Sequence, residues 1–189
     1  LHNKVAEWYK QHFDGWRLEV SNKNDPYIEI NLKKGTSEVN IVDVGQGMNQ
    51  ALPLIVRANL RVDDSIIVME QPELHLHPAA HGDLAELFAR SAKENSQFYI
   101  IETHSENILL RLRALVVEND FGFSNTDVNI YWINTDNEQN IQKIIIDENG
   151  TLSDWPEGVF TESVAEIKNM RNSLRKKQGS LKIMQVLWT

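Results

Sequence analysis

Carboxylate, amide and imidazole side chains follow two apolar segments in the middle of the chain. The run 66–69 ends in Glu70 and Gln71, and the segment 98–101 ends shortly before His104. Short continuous apolar runs are typical of buried parallel strands, and open α/β sheets bind ligands beyond the carboxyl ends of such strands. A carboxylate in that position suits Mg²⁺, which prefers one or two carboxylates with water and phosphate oxygens. The pattern therefore favours Glu70 as a metal ligand.

A glycine-containing turn lies upstream of these segments, directly before an apolar helical pattern. Gly45 and Gly47 flank Gln46, and Asn49 follows in the first turn of the predicted helix. Glycines allow a ligand to approach the backbone closely, and a helix N-terminus attracts phosphate. We expect Gly45, Gln46, Gly47 and Asn49 to contact a phosphate group. A tight turn without a ligand is the alternative, and the turn alone does not decide between them.

Strands and helices alternate through the middle of the chain, which predicts an α/β fold. Helices are expected after the glycine turn, after Pro78 and after Thr103, where Glu106 completes a capping-box pattern. A short N-terminal helix is expected over 4–13. Further strands are predicted over 17–20, 27–32, 38–42, 129–134 and 141–146. The expected architecture is a mixed, mainly parallel sheet with flanking helices and β-hairpin additions.

On these stretches the chain resembles the C-terminal half of an ABC-type ATPase head. The likeness covers about residues 27–160. It is to the branch that includes the structural-maintenance-of-chromosomes and overcoming-lysogenization-defect proteins, nearest to bacterial AAA-type ATPases with a conserved, uncharacterised C-terminal region. The resemblance implies a P-loop NTPase fold, ATP and Mg²⁺ as cofactors, and a homodimer joined through ATP-bound heads. It also implies action on nucleic acid or an effector protein, in DNA repair or phage defence.

The resemblance assigns a role to the glycine turn and to the first polar stretch. The turn at 45–47 takes the place of the signature that contacts ATP on the opposite head, although the serine usual there is absent. Glu70 takes the place of the Walker B carboxylate, and Gln71 that of the catalytic glutamate. Glutamine cannot accept a proton at neutral pH, so Gln71 can orient a water molecule but cannot act as a general base.

The same resemblance assigns Glu73 and His77, as nucleotide-binding residues, to a loop that faces the other head, and His104 to the switch histidine that contacts the γ-phosphate. No glycine-rich loop of the form G-x-x-x-x-G-K-[S/T] occurs in the chain. We therefore expect an N-terminal half of the same protein to supply that loop. The expected division is a C-terminal head lobe over 1–160 and a C-terminal helix and tail over 161–189.

Composition limits the partners. The formal net charge of -8 does not attract nucleic acid broadly, so any DNA contact needs a local basic cluster such as Arg171, Arg175, Lys176 and Lys177. Cysteine is absent, which excludes disulfides and thiolate zinc sites and fits a cytoplasmic protein. No apolar run approaches about 18 residues, so no membrane partner is expected.

Two other functions remain open at this point. His75, His77 and His81 lie within one short stretch, with Glu73 and Glu102 as potential neighbours, and three such ligands would suit a zinc-dependent hydrolase. A non-hydrolysing, nucleotide-dependent regulatory module is the other alternative, because Gln71 replaces the expected carboxylate.

Overall fold

The computed structural model describes residues 1–24, 26–62, 64–133 and 141–153. All of these residues lie within one compact unit, Leu1–Ser153. The second unit, Asp154–Thr189, contains the expected C-terminal helix, the tail and the basic cluster, and it lies outside the described residues. The boundary at residue 160 therefore stays a prediction.

Four helices and seven strands form the described part of the chain. The helices are α1 (His2–His12), α2 (Gln46–Asn59), α3 (Pro78–Asn95) and α4 (Glu106–Glu118). The strands are β1 (Arg17–Asn24), β2 (Tyr27–Lys34), β3 (Ser37–Asn40), β4 (Ile66–Glu70), β5 (Phe98–Glu102), β6 (Ile130–Ile133) and β7 (Ile141–Ile144). Single 3-10 turns occur at Ile41–Asp43 and Asn125–Asp127. Each predicted strand and helix in this region is present, with bounds that shift by a few residues.

Three sheets are formed by these strands. β1, β2 and β3 make an antiparallel meander, β4 and β5 make a parallel pair, and β6 and β7 make an antiparallel hairpin. The expected mixed α/β fold with hairpin additions is confirmed. Among the described strands the parallel part is the β4–β5 pair, and α3 is the crossover helix that such a pair requires.

The larger core joins α1, α2 and α3 to the meander. Its most buried large side chains are Tyr9, Leu32, Ile55 and Leu84. A smaller core forms around Leu115 of α4. Burial of these apolar surfaces is the main stabilising term for the fold, and the larger core fixes α2 and α3 on one side of the β4–β5 pair.

The β4–β5 pair is covered on one face only within the described residues. Ile67 of β4 is buried, whereas four large residues on the opposite face are 51–69% exposed. These are Ile66 (69%), Val68 (67%), Phe98 (60%) and Ile100 (51%). The continuous apolar runs had predicted strands buried on both faces, so the observed burial corrects that expectation. Continuous runs fit burial on both faces, and the described residues supply a cover for one.

The two helices that follow this pair begin at defined caps. α3 begins at Pro78 as expected, and His77 Nδ1 accepts a hydrogen bond of 3.2 Å from Ala79 N. α4 begins two residues later than the capping-box pattern indicated, because Ser105 is the N-cap and its hydroxyl accepts from Ile108 N. In the part of the chain that is described, no helix is long and apolar enough to cross a bilayer.

Candidate functional site

β4 and β5 end at the same level, and their last residues are both glutamates. Glu70 and Glu102 are paired in the parallel register, so their side chains lie on the same face of the sheet. The Gln71 N–H donates to the Glu102 carbonyl oxygen at 2.8 Å, which extends the pairing by one residue. His104 Nε2 lies 3.5 Å from Glu102 Oε1, and both side chains are mostly exposed. The structure therefore brings Glu70, Glu102 and His104 to one edge.

Glu102 is a member of this edge that the sequence reasoning did not assign to the ATPase site. The signal was present, because Glu70 and Glu102 each close a five-residue strand of the same apolar type. Parallel pairing in register then places the two carboxylates side by side. Both belong to the exposed face that also carries Ile66, Val68, Phe98 and Ile100.

Gln71 begins a loop with an unusual backbone. Gln71 has φ 45° and His75 has φ 71°, a left-handed region that non-glycine residues enter at a cost of order 1–3 kcal/mol. Leu74 N donates to the Gln71 carbonyl oxygen at 3.0 Å, which closes a turn inside the loop. The half-buried Gln71 is therefore held in place by its backbone bonds on both sides.

Glu73 points inward from this loop, although sequence reasoning assigned it to nucleotide contact. It is 8% exposed, and its Oε1 accepts from Thr103 Oγ1 at 2.6 Å and from His104 N at 3.0 Å. Glu73 Oε2 is buried and has no hydrogen-bond partner among the described residues. Through these bonds Glu73 ties the loop after β4 to the turn after β5.

The three histidines proposed as zinc ligands do not form a metal site. His81 Nε2 donates to the Leu76 carbonyl oxygen at 3.2 Å, and its Nδ1 accepts from Ser105 Oγ at 2.7 Å. His77 Nδ1 is occupied by the cap of α3. Among the described residues, no three His, Cys, Asp or Glu side chains are placed to hold a metal ion. This arrangement does not support the zinc-hydrolase alternative, because both ring nitrogens of His81 are engaged in hydrogen bonds.

The glycine turn lies at the N-terminus of α2, next to the loop after β4. A Cβ on Gly47 would lie 2.5 Å from the His75 carbonyl oxygen, so the close contact of these two backbones requires glycine. A Cβ on Gly45 would meet nothing within 4 Å. Gly45, Gln46 and Asn49 are exposed. The N-terminal N–H groups of a helix lack intrahelical partners, so this turn can receive an anion from the solvent side.

Helix α1 holds the start of α2 in position. The Tyr9 hydroxyl donates to the Met48 carbonyl oxygen at 2.5 Å. Burial raises the pKa of the Tyr9 phenol well above its ordinary value, so the hydroxyl keeps its proton and remains a donor. The glycine turn is thus anchored by α1 from one side and by the loop after β4 from the other.

Two family matches cover most of the chain. Residues 1–109 match the family described as AAA ATPase domain. Residues 124–169 match the family described as protein of unknown function, DUF3696. None of the curated proteins matches the chain at a significant level.

Solved structures of SMC proteins align with the chain. One, from a study of ATP-driven dimerization and DNA stimulated activation of SMC ATPases, aligns with a TM-score of 0.53 at 15% identity, over 94% of this chain and 92% of that one. A Pyrococcus furiosus Smc head with an extended coiled coil, bound to the C-terminal domain of ScpA, aligns with a TM-score of 0.44 at 14% identity, over 89% and 38% of the two chains.

An SmcHead bound to the C-winged helix domain of ScpA aligns with a TM-score of 0.43 at 18% identity, over 58% of this chain and 37% of that one. The alignment with a TM-score of 0.53 shows a shared fold. The match to the AAA ATPase domain spans more than half of the 189 residues. The chain belongs to the AAA ATPase domain family, and its fold is that of an SMC-like P-loop NTPase head.

Proposed function

We propose that the chain is the C-terminal part of an ABC-type ATPase head that binds ATP with Mg²⁺ and hydrolyses ATP within a dimer of heads. The observation that carries this proposal is the common carboxyl edge of β4 and β5, which places Glu70, Glu102 and His104 together. Phosphoryl transfer needs charge neutralisation, an oriented water molecule and donors to the γ-phosphate. Carboxylate, amide and imidazole groups at one edge are the side chains for those tasks.

The donor set at this edge fits a magnesium ion. Glu70 is exposed at the end of β4 and offers carboxylate oxygens, the ligands that Mg²⁺ prefers. When bound, Mg²⁺ neutralises negative charge on the phosphates. Gln71 would orient the attacking water through its amide, and His104 would donate a hydrogen bond to the γ-phosphate. Glu102 lies 3.5 Å from His104 Nε2, and a doubly protonated ring would donate to Glu102 from this nitrogen and to the γ-phosphate from the other.

The exposed glycine turn would serve a second head. Gly45, Gln46, Gly47 and Asn49 would contact ATP bound by the partner in a homodimer, because the N-terminus of α2 favours an anion. His77 would face the same partner. Its Nδ1 accepts from Ala79 N, so in the neutral ring Nε2 carries the proton and can donate outward.

The uncovered face of the β4–β5 pair supports the view that a further lobe completes this head. Two-stranded sheets are marginally stable alone, and exposed strand edges invite pairing. Ile66, Val68, Phe98 and Ile100 give the face its apolar character, and Glu70 and Glu102 end it. An N-terminal half that covers this face and carries the phosphate-binding loop would place ATP beside the two carboxylates.

The biological role follows by analogy with the branch of ATPases that the sequence resembles. The matched SMC ATPases are described as dimerising with ATP and as activated by DNA. We place the present protein in DNA repair or phage defence, acting in the cytoplasm on nucleic acid or on an effector protein. The charge of -8 favours a local contact over a broad one.

Calorimetric titration of ATP with Mg²⁺ tests the half-head proposal. The isolated 189-residue chain should bind weakly, with a dissociation constant above micromolar, because it contains no phosphate-binding loop. The full-length protein should bind at least ten times more tightly and should dimerise with ATP in sedimentation. Submicromolar affinity of the isolated chain would show that the half-head proposal is wrong.

A non-hydrolysing, nucleotide-dependent regulatory module is the second candidate, favoured by Gln71. Its amide cannot accept a proton. Its backbone is held at φ 45°, so the loop does not readily shift to bring a neighbouring side chain into the same position. Such a module would dimerise with ATP in its full-length form and release no phosphate. Single-turnover phosphate release by the full-length protein separates the two candidates.

A further inference from the structure

Glu73 connects two loops that lie far apart in the sequence. The first loop follows β4, and the second is the turn at 103–105 that precedes α4. Glu73 Oε1 accepts from the Thr103 hydroxyl at 2.6 Å and from the backbone N–H of His104 at 3.0 Å. The Thr103 hydroxyl also accepts from Ser105 N at 3.0 Å. One buried carboxylate oxygen therefore organises the whole turn that presents His104.

The second carboxylate oxygen of Glu73 lowers the stability of the folded chain. Glu73 is more than nine-tenths buried, and its Oε2 makes no hydrogen bond to any described residue. A buried polar atom without a partner lowers stability, and a buried charge without one lowers it further. The unpaired oxygen indicates that stability alone does not explain this carboxylate.

We propose that Glu73 is a positioning residue for His104. It holds the peptide N–H of His104 and thereby fixes where the imidazole stands beside Glu102. This inference rests on the proposed ATPase function, and it replaces the nucleotide contact that the resemblance implied for Glu73. The bond to His104 is made by the backbone, so it sets the direction of the side chain and does not compete with a ligand for the ring nitrogens.

Hydrogen bonds of His81 form a second connection between the same loop and the same turn. His81 joins the Leu76 carbonyl oxygen, at the far end of the loop after β4, to the hydroxyl of Ser105. Glu73 and His81 thus connect the loop after β4 to the turn at 103–105 at two separate points. Since the His75 carbonyl oxygen also lies against Gly47, the loop that carries Glu73 is in contact with the glycine turn as well.

Turnover in the full-length protein tests the positioning role by a double-mutant cycle. Glu73→Ala should lower kcat about 10-fold to 100-fold and leave KM for ATP within about threefold. Glu73→Gln should stay within about threefold of wild type in both, because its amide oxygen still accepts from His104 N. In the His104→Ala background, Glu73→Ala should have no further effect on kcat. Glu86→Ala is the matched control, since it removes a carboxylate that pairs with Arg111 away from the edge.

Three kinetic results would overturn the positioning role. They are additive losses in the double variant, a raised KM with unchanged kcat, and equal losses for the alanine and glutamine variants. Additive losses or a raised KM would mean that Glu73 acts independently of His104 or contacts nucleotide. If Glu86→Ala lowered kcat as much as Glu73→Ala, a general loss of structure would explain the data.

Hydrogen exchange of the His104 amide in the full-length protein gives a readout that does not depend on ATP. Glu73→Ala should accelerate exchange at this amide at least tenfold, whereas Glu73→Gln and Glu86→Ala should leave it near the wild-type rate. Unchanged exchange in Glu73→Ala would overturn the proposal. If the exchange result holds while His104→Ala keeps wild-type turnover, the ATPase role of His104 fails and the positioning by Glu73 stands.

Discussion

Glu70 and Glu102 face each other in register across the parallel pair β4–β5, and both carboxylates are exposed at its carboxyl end. His104 lies 3.5 Å from the second of them. This relationship connects the fold to the proposed chemistry, because two carboxylates at one edge of the sheet are suited to receive a cation.

Gln71 offers a test in which a variant improves on the wild type. Gln71→Glu should keep or raise turnover of the full-length protein, because it installs a carboxylate that can accept a proton from water. Gln71→Ala should lower turnover about tenfold or more, because no side chain then orients the water. Steady-state phosphate release measures both. A Gln71→Glu variant slower than Gln71→Ala would contradict the assigned role.

Loss of the His104 side chain should lower turnover less than loss of the metal ligand Glu70 and more than loss of a surface residue. His104→Ala removes one contact to the γ-phosphate without removing the metal, so its turnover should fall between those of wild type and Glu70→Gln. His2 is an exposed histidine at the start of α1, and His2→Ala is the control. Phosphate release in the same assay gives the ranking. Equal rates for the two histidine variants would remove His104 from the site.

Gly47 is predicted to be sensitive for a steric reason. Gly47→Ala would place a Cβ 2.5 Å from the His75 carbonyl oxygen, and relief of that contact requires the backbone to shift. We expect a loss of about 1–3 kcal/mol in the free energy of unfolding. Gly45→Ala, with open space around it, should lose less than about 1 kcal/mol. Chemical denaturation measures the free energy of unfolding of both variants. A larger loss for Gly45→Ala than for Gly47→Ala would contradict this prediction.

The lowered pKa of Glu86 predicts how the free energy of unfolding changes with pH. Burial raises the pKa of its carboxyl, but hydrogen bonds from Arg111 and Arg90 lower it more, so the net pKa lies below the ordinary value. A depressed folded-state pKa contributes stability that is present above the unfolded value and is lost as the pH falls through the folded one. Glu86→Gln should therefore be less stable at pH 7 and lose less on acidification below about pH 4.5. Parallel curves for variant and wild type between pH 7 and pH 3 would contradict this.

The sequence located the strands, the helices and the polar ends of β4 and β5, because periodicity and caps are local signals. It did not locate Glu102 as part of the edge, since only the register of the parallel pair aligns this residue with Glu70. It also placed the start of α4 too early. Thr103 binds Glu73 instead of capping the helix, and that partner lies thirty positions away in the chain.

Burial of charged and apolar groups was the least predictable property. Glu73 looks like a surface residue by type, yet donors on a distant turn make it a buried acceptor. The histidine spacing suggested zinc, but it could not show that both ring nitrogens of His81 form hydrogen bonds, one with Leu76 and one with Ser105. Ile66 and Phe98 had the character of core residues and are exposed, because no cover for that face lies among the described residues.

Phosphate release by full-length Glu70→Gln tests the central claim most directly. Removing one negative charge beside the metal should lower turnover about 10²–10³-fold, a typical effect of losing one electrostatic contact in a transition state. Glu94→Gln is the matched control, an exposed glutamate near the other end of α3, about 24 Å along the helix from Pro78. The account predicts wild-type turnover for Glu94→Gln and a collapse for Glu70→Gln, and wild-type turnover in both would show that this edge is not a nucleotide site.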